Sequence, residues 1–217
     1  MKKENAFSIV SLIFNILIVL FVINSIIMMF VGSDGELTAS GFNAFKFFTV
    51  DSNVLMGVAS LIFLPFLILK MLGKEIKKTL LLSVAKFVAT IGVVLTFLTV
   101  ILFLGFIFGY VSMFKGPNLY MHLITPLLAM IDFMFFDPIS EIPFRFTFFG
   151  VVPMTIYGIC YITNIAVHNG YGDTNYDWYM FGANGMGIGI LIFLLMISIT
   201  YGIGLLLRLI RKVVVKK

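Results

Sequence analysis

Apolar residues run through this chain in six blocks, each closed by a polar turn or one bearing glycine or proline. The blocks extend approximately over 7–31, 45–69, 79–111, 119–136, 144–167 and 185–210. A spanning helix needs about 20 apolar residues to cover a hydrocarbon core of roughly 30 Å. The pattern therefore predicts an all-α integral membrane protein, a six-transmembrane-helix bundle formed as a single domain over residues 1–217. The connecting segments are short, and no internal repeat or low-complexity run interrupts them. The first block follows Lys2 and Lys3 but is too long for a signal-peptide core and lacks a small-residue cleavage site, so it is expected to stay as helix 1.

Against this apolar background the polar positions stand out. The second block opens FKFFTVDSNVL, placing Thr49, Asp51, Ser52 and Asn53 in its first turns. Residues three and four apart share a helix face. That spacing groups Thr49 with Ser52, Asn53 and Met56 and turns Asp51 more than a right angle away. The fourth block begins NLYMHLITPLLAMID, with His122 about one turn in, at the depth expected for Thr49. Tyr157, Tyr161, Asn164 and His168 follow as a polar stripe along the fifth block.

A hydroxyl beside an imidazole is the minimum for nucleophilic acyl transfer, because an alcohol attacks poorly until a base takes its proton. Thr49 and His122 are thus the candidate catalytic pair. Asn53, Asn24 in the first block and Tyr161 are candidate donors to the oxyanion that an attacked ester would develop. Ser52, Asn164 and His168 are candidate pocket residues, and Asp51 a candidate acid to orient His122 or His168. The plain alternative is that Thr49 bonds its own helix backbone and that the histidines are interfacial anchors. Asp132 lies about 15 Å beyond His122 along the helix, too far to orient it, and is expected to pair with Lys86 inside the bundle.

Composition supports the membrane reading. Hydrophobic residues make up 61% of the chain, charged ones 12%, and the mean hydropathy is +1.12, far above a soluble domain. The net charge of +5 calls for no nucleic-acid partner once its layout is considered. Lys2, Lys3, Lys70, Lys74, Lys77, Lys78, Arg145, Arg208, Arg211, Lys212, Lys216 and Lys217 fall on one side of the predicted bundle, Lys46 and Lys115 on the other. By the positive-inside rule both termini are expected in the cytoplasm.

A lone cysteine, Cys160, supports neither a disulfide framework nor a thiolate metal site. His122, His168, Asp173 and Asp177 lack the spacing of a compact ligand motif, so no metal and no cofactor is expected. Gly182, Gly185, Gly187 and Gly189 are not preceded by a strand, so a phosphate loop is disfavoured, and the Gly185/Gly189 spacing is expected to serve helix packing. The expected partner is a membrane lipid. The outer loop over 169–185, rich in Tyr and Trp, is expected to cap a lipid pocket.

The order of FKFFTVDSNVL, LYMHLITPLLAMID, a histidine-bearing end of the fifth block and an aromatic loop resembles the androgen-induced gene and ADTRP family of intramembrane threonine hydrolases, as a bacterial relative. The resemblance implies that Thr49 is the nucleophile and His122 its partner, and that the substrates are fatty acid esters of hydroxy fatty acids or similar lipids. The chain departs from the family in carrying Asp132 where the family tends toward Glu. A predominance of lysine over arginine agrees with a bacterial plasma membrane. The competing expectation is a non-enzymatic lipid-binding or transport bundle, and a third is a regulatory subunit whose exposed tyrosines and Trp178 bind a partner.

Overall fold

A computed structural model of the protein describes residues 2–32, 40–74, 80–138 and 141–215. Lys77, Lys78, Lys216 and Lys217 of the basic set lie outside them, as do residues 33–39. Six helices are long and apolar enough to cross a membrane. They are α1 (Lys2–Val31), α2 (Phe48–Met71), α3 (Leu80–Phe108), α4 (Pro117–Phe136), α5 (Phe144–His168) and α6 (Met186–Val215). The fold is all-helical, with no strand among the described residues, as the hydropathy pattern predicts.

In lipid the usual distribution of residues is altered, because tails solvate leucine as well as another helix does. α1 demonstrates this. Its buried face reads Ser8, Ser11, Asn15, Ile18, Val22, Ser25 and Met29, at alternating three- and four-residue steps, while Ile9, Ile13, Ile16, Leu20, Ile23 and Ile27 are exposed. Small and polar groups thus take the helix contacts, and bulky aliphatics face outward. The most extensive packing is of α1 on α2 and of α2 on α3.

Buried charge ties the middle of the bundle together. Lys86 of α3 has no exposed surface. Its ammonium lies 2.5 Å from Asn15 Oδ1, 2.9 Å from Asp132 Oδ2 and 3.3 Å from Asp137 Oδ2, the last an ion-pair distance without hydrogen-bond geometry. It also sits 4.4 Å from the centre of the Phe63 ring, a cation–π contact. Asn15 uses both ends of its amide, accepting from Lys86 and donating to Asp132 Oδ2 at 2.8 Å. Arg211 of α6 donates to the carbonyls of Phe133 and Asp137, the latter at 2.6 Å. The pairing of Asp132 with Lys86 expected from sequence is present, within a larger network that also draws in α1 and α6.

Local backbone makes the network possible. In an α-helix residues five apart point about 140° away from each other. α4 instead ends in a π-helical turn over Asp132–Phe136, closed by a 2.8 Å bond from the Asp137 amide to the Asp132 carbonyl. The wider turn lets both carboxylates reach one ammonium. A second π-helical turn, Tyr120–Ile124, precedes Pro126. Proline has no N–H for the His122 carbonyl and its ring would crowd that carbonyl in a regular helix, so the widened turn relieves both problems.

The glycine pair read from sequence as a packing motif divides. Gly185 has open space around its Cα and φ of +96°, so it serves the turn into α6, whereas Gly189 approaches the Phe181 carbonyl and Ile162. The close approach of α5 to α6 occurs at Gly158, where a Cβ would stand 2.6 Å from the Phe193 ring.

Removing one partner of a buried ion pair leaves a charge without compensation, at a cost of about 3 to 5 kcal/mol. Lys86→Met is therefore expected to lower stability by about that amount in a reversible denaturation titration in mixed micelles. Adding Asp132→Asn to that variant should recover part of the loss, since it removes one of the two stranded anions.

Candidate functional site

At the end of the bundle where α2 and α4 begin and α5 stops, two neighbouring arrangements share the first turns of α2. The Phe48 N–H donates to the Tyr179 hydroxyl at 3.1 Å, and the Tyr157 hydroxyl donates to the Lys46 carbonyl at 2.7 Å. These bonds lock the start of α2 to α5 and to the loop over 169–185. Burial pushes the Tyr179 phenol up to about 12, and the Asp51 carboxylate acts in the same direction against hydrogen bonds that lower it. Tyr179 therefore stays protonated at neutral pH while its oxygen accepts from the Phe48 N–H.

The first arrangement centres on Asn53, fully buried on α2. Its Nδ2 donates to the Thr49 carbonyl at 2.8 Å and to the Met121 carbonyl of α4 at 3.0 Å. One amide thus joins the residue bearing the candidate nucleophile to the residue preceding His122. Both acceptors are carbonyls, so the NH2 group must be the end that faces them, and Asn53 Oδ1 is left buried and without a partner. The Thr49 side chain is partly buried, and its hydroxyl makes no hydrogen bond among the described residues.

His122 is 7% exposed and lies within the π-helical turn of α4. Its Nδ1 is 2.8 Å from the Met113 carbonyl. A carbonyl can only accept, so Nδ1 carries a proton and the neutral ring presents its lone pair at Nε2. Fixing the tautomer in this way is what a triad acid does for its histidine. Here a backbone carbonyl does it. The expectation that Asp51 orients His122 is corrected accordingly, since Nδ1 is already held.

The second arrangement is a cavity of about 480 Å3 between α2 and α5, within the size range of ligand sites. It is lined by Phe45, Lys46, Phe48, Asp51, Ser52, Leu55, Pro153, Ile156, Tyr157, Cys160, Tyr161, Asn164 and Trp178. Four of the candidate site residues meet here, Asp51, Ser52, Tyr161 and Asn164, together with Tyr157 of the polar stripe and Trp178 of the loop. Thr49 and His122 are not in its lining. Ser52 lies within hydrogen-bond distance of Thr96 Oγ1 of α3, at 3.1 Å, and of its own Thr49 carbonyl. The polar face that helical spacing groups together is therefore divided, with Ser52 at the cavity and Asn53 against α4.

Two further expectations are corrected. Asn24 is exposed, and its amide contacts Met28 within α1, so it is not an oxyanion donor in this arrangement. His168 is exposed at the end of α5, with Nδ1 2.9 Å from the Asn164 carbonyl and its ring stacked on Tyr176. It contacts neither Asp51 nor the cavity. Helical spacing placed it on the stripe correctly, but the chain turns away at Asn169, which has φ of +49° and ends α5.

From sequence Asp177 enters only among residues that could ligate a metal. It proves to organise the loop over 169–185. Fully buried, it accepts from the Tyr161 hydroxyl at one oxygen and from the Gly172 and Gly182 amides, each at 3.0 Å, at the other. Tyr161 in turn accepts from the Tyr179 amide at 3.0 Å, so its oxygen is committed to the loop and is not free to stabilise an oxyanion. Nothing in residue spacing signals this, because Asp177 and the two glycine amides all lie in turns of the loop and only Tyr161 comes from a helix.

The fold and site define a six-span helical membrane bundle with a lateral cavity at one end. Comparison of the chain with models of protein families, with curated proteins and with solved structures finds no match in any of the three.

Asp177→Ala strips the acceptor from a buried hydroxyl and two amides, and hydrogen bonds to a charged group contribute about 1.5 to 3 kcal/mol each. Limited proteolysis should then cut within 169–185 at least several-fold faster than in the parent. Tyr161→Phe should produce a smaller effect in the same direction.

Proposed function

We propose that the protein is an intramembrane lipid ester hydrolase in which Thr49 is the nucleophile and His122 the general base. The observation that carries the reading is the Asn53 amide, which ties the Thr49 backbone to the residue next to His122. The orientation of His122 supports it, because the ring nitrogen not held by Met113 has the lone pair that a base requires. So does the resemblance of FKFFTVDSNVL and LYMHLITPLLAMID to the threonine hydrolases.

In this mechanism Thr49 Oγ1 attacks the ester carbonyl while its proton passes to His122 Nε2. The tetrahedral intermediate collapses, and the departing alcohol takes that proton. Water then attacks the acyl-threonine with His122 again as base, releasing the carboxylic acid and restoring the hydroxyl. Substrates are lipids dissolved in the bilayer, of the class of fatty acid esters of hydroxy fatty acids. In this reading both termini are cytoplasmic and the membrane is a bacterial plasma membrane, consistent with the one-sided basic residues and the excess of lysine.

A second reading has a specific observation in its favour: the cavity omits Thr49 and His122. A lipid-binding or transport bundle would need only that cavity.

Purified protein assayed on a fatty acid ester of a hydroxy fatty acid separates the two. Thr49→Ala is expected to abolish turnover, and His122→Gln to lower kcat/KM by about 10²- to 10⁴-fold, with melting temperatures close to the parent. Full activity in Thr49→Ala would end the hydrolase proposal. Lipid binding by a parent that never turns over would establish the second reading.

A further inference from the structure

The cavity between α2 and α5 presents two opposite charges that nothing among the described residues neutralises. The Asp51 carboxylate is half-buried in its lining and makes no hydrogen bond or ion pair among the described residues. Lys46, also in the lining, holds its ammonium 5.4 Å from the centre of the Phe47 ring and 5.6 Å from that of Trp178, with no carboxylate partner among the described residues. The other polar groups at the cavity are largely spent. Tyr157 donates to the Lys46 carbonyl and accepts from Trp178, Tyr161 donates to Asp177, and Ser52 is engaged with Thr96 and Thr49. Asn164 commits its amide nitrogen to the Tyr176 carbonyl, leaving an oxygen that accepts. The remaining walls are apolar, and Leu55 and Ile156 are exposed on the lipid-facing surface at 37% and 58%.

We propose that this cavity is a headgroup site for a zwitterionic phospholipid with a primary ammonium, the phosphate lying on Lys46 and the ammonium on Asp51. Each charge of the site decides one part of the ligand. An anionic lipid would answer Lys46 but bring like charge toward Asp51. A cationic amphiphile would do the reverse. Only a ligand with both signs serves both groups, and an ionised side chain near a bilayer is costly until it is paired. The acceptor on the ammonium side, the Asp51 carboxylate, selects an N–H donor over a quaternary methylated cation. The aliphatic flank of Leu55, Pro153 and Ile156 suits the first carbons of an acyl chain. The site does not depend on the hydrolase reading, since neither Thr49 nor His122 lines it.

Trp178 is the chain's only tryptophan and lines the cavity, so its fluorescence reports occupancy without a label. The full chain in neutral detergent is titrated with phosphatidylethanolamine brominated high on its acyl chains, and in parallel with the phosphatidylcholine and phosphatidylglycerol counterparts. The expected result is saturable quenching by phosphatidylethanolamine, half-complete at about a tenfold lower lipid concentration than with either of the others, the equivalent of one decade in Kd. Asp51→Asn should erase that preference, and Lys46→Gln should weaken quenching by phosphatidylethanolamine and phosphatidylglycerol alike. Thr49→Ala should leave the titration unchanged whatever it does to ester hydrolysis. Equal quenching by phosphatidylglycerol, equal quenching by phosphatidylcholine, or an Asp51→Asn protein that keeps the preference would each overturn the proposal. Should a variant fail to fold, the three-lipid comparison on the parent protein still decides it.

Discussion

The ammonium of Lys86 lies at the centre of the bundle with no access to solvent, and the positions of four helices follow from how it is answered. Removing such a charge from water costs several kcal/mol, and that cost is offset only by close, well-directed partners. α1 supplies Asn15, α4 supplies Asp132 and Asp137, and α2 lays the Phe63 ring against the cation. Arg211 brings α6 to the carbonyls of the same α4 turn. Apolar packing alone would leave helices in lipid free to slide, because one leucine contact in hydrocarbon resembles another. A slide of one turn here would strand a buried ion, so the network sets register as well as adhesion.

Register at one end has consequences at the other. α4 is anchored through Asp132 and Asp137 near its end, and near its start by the Asn53 amide on Met121 and the Met113 carbonyl on His122. The π-helical turn before Pro126 lies between these anchors and adjusts the helix so that both sets of bonds are made. π-turns recur at functional positions because they re-aim side chains that a regular helix would point elsewhere. In α4 they act on His122 and on the pair of aspartates, the groups whose direction matters most.

Hydropathy alone was sufficient to read six spans, because membrane thickness imposes a length that few other structures share, and predicted and observed limits agree within a few residues. The Lys86–Asp132 pair was legible as well, since two ionisable groups in apolar helices need each other. Three things were not. Asp137 reaches Lys86 only through a π-turn, for which an α-helical wheel has no place. Asn15 is one polar residue in an apolar block, and its partners lie 71 and 117 residues away in sequence. The fate of Tyr161 depends on Asp177, placed by loop turns whose geometry leaves little trace in residue pattern. Asn24 illustrates the opposite error: a polar residue of the first block was read as a donor to the site, but its side chain is exposed and contacts Met28 within α1.

α2 thereby performs two tasks with adjacent residues. Its rotation places Asp51 and Ser52 on the cavity toward α5, and Asn53 on the opposite flank against α4. Thr49 lies one turn before Asn53 and shares its backbone bond, so any shift of α2 that altered the cavity would also alter the spacing between Thr49 and α4. The Tyr157–Lys46 and Tyr179–Phe48 bonds restrain such a shift from the α5 side, and Asn53 restrains it from the α4 side. A lipid headgroup drawing Lys46 and Asp51 together would add a third restraint at the same turn. The first turns of α2 thus hold the cavity residues Asp51 and Ser52 on one face and the α4-bound Asn53 on the other, and the bonds made at both faces restrain the same stretch of backbone.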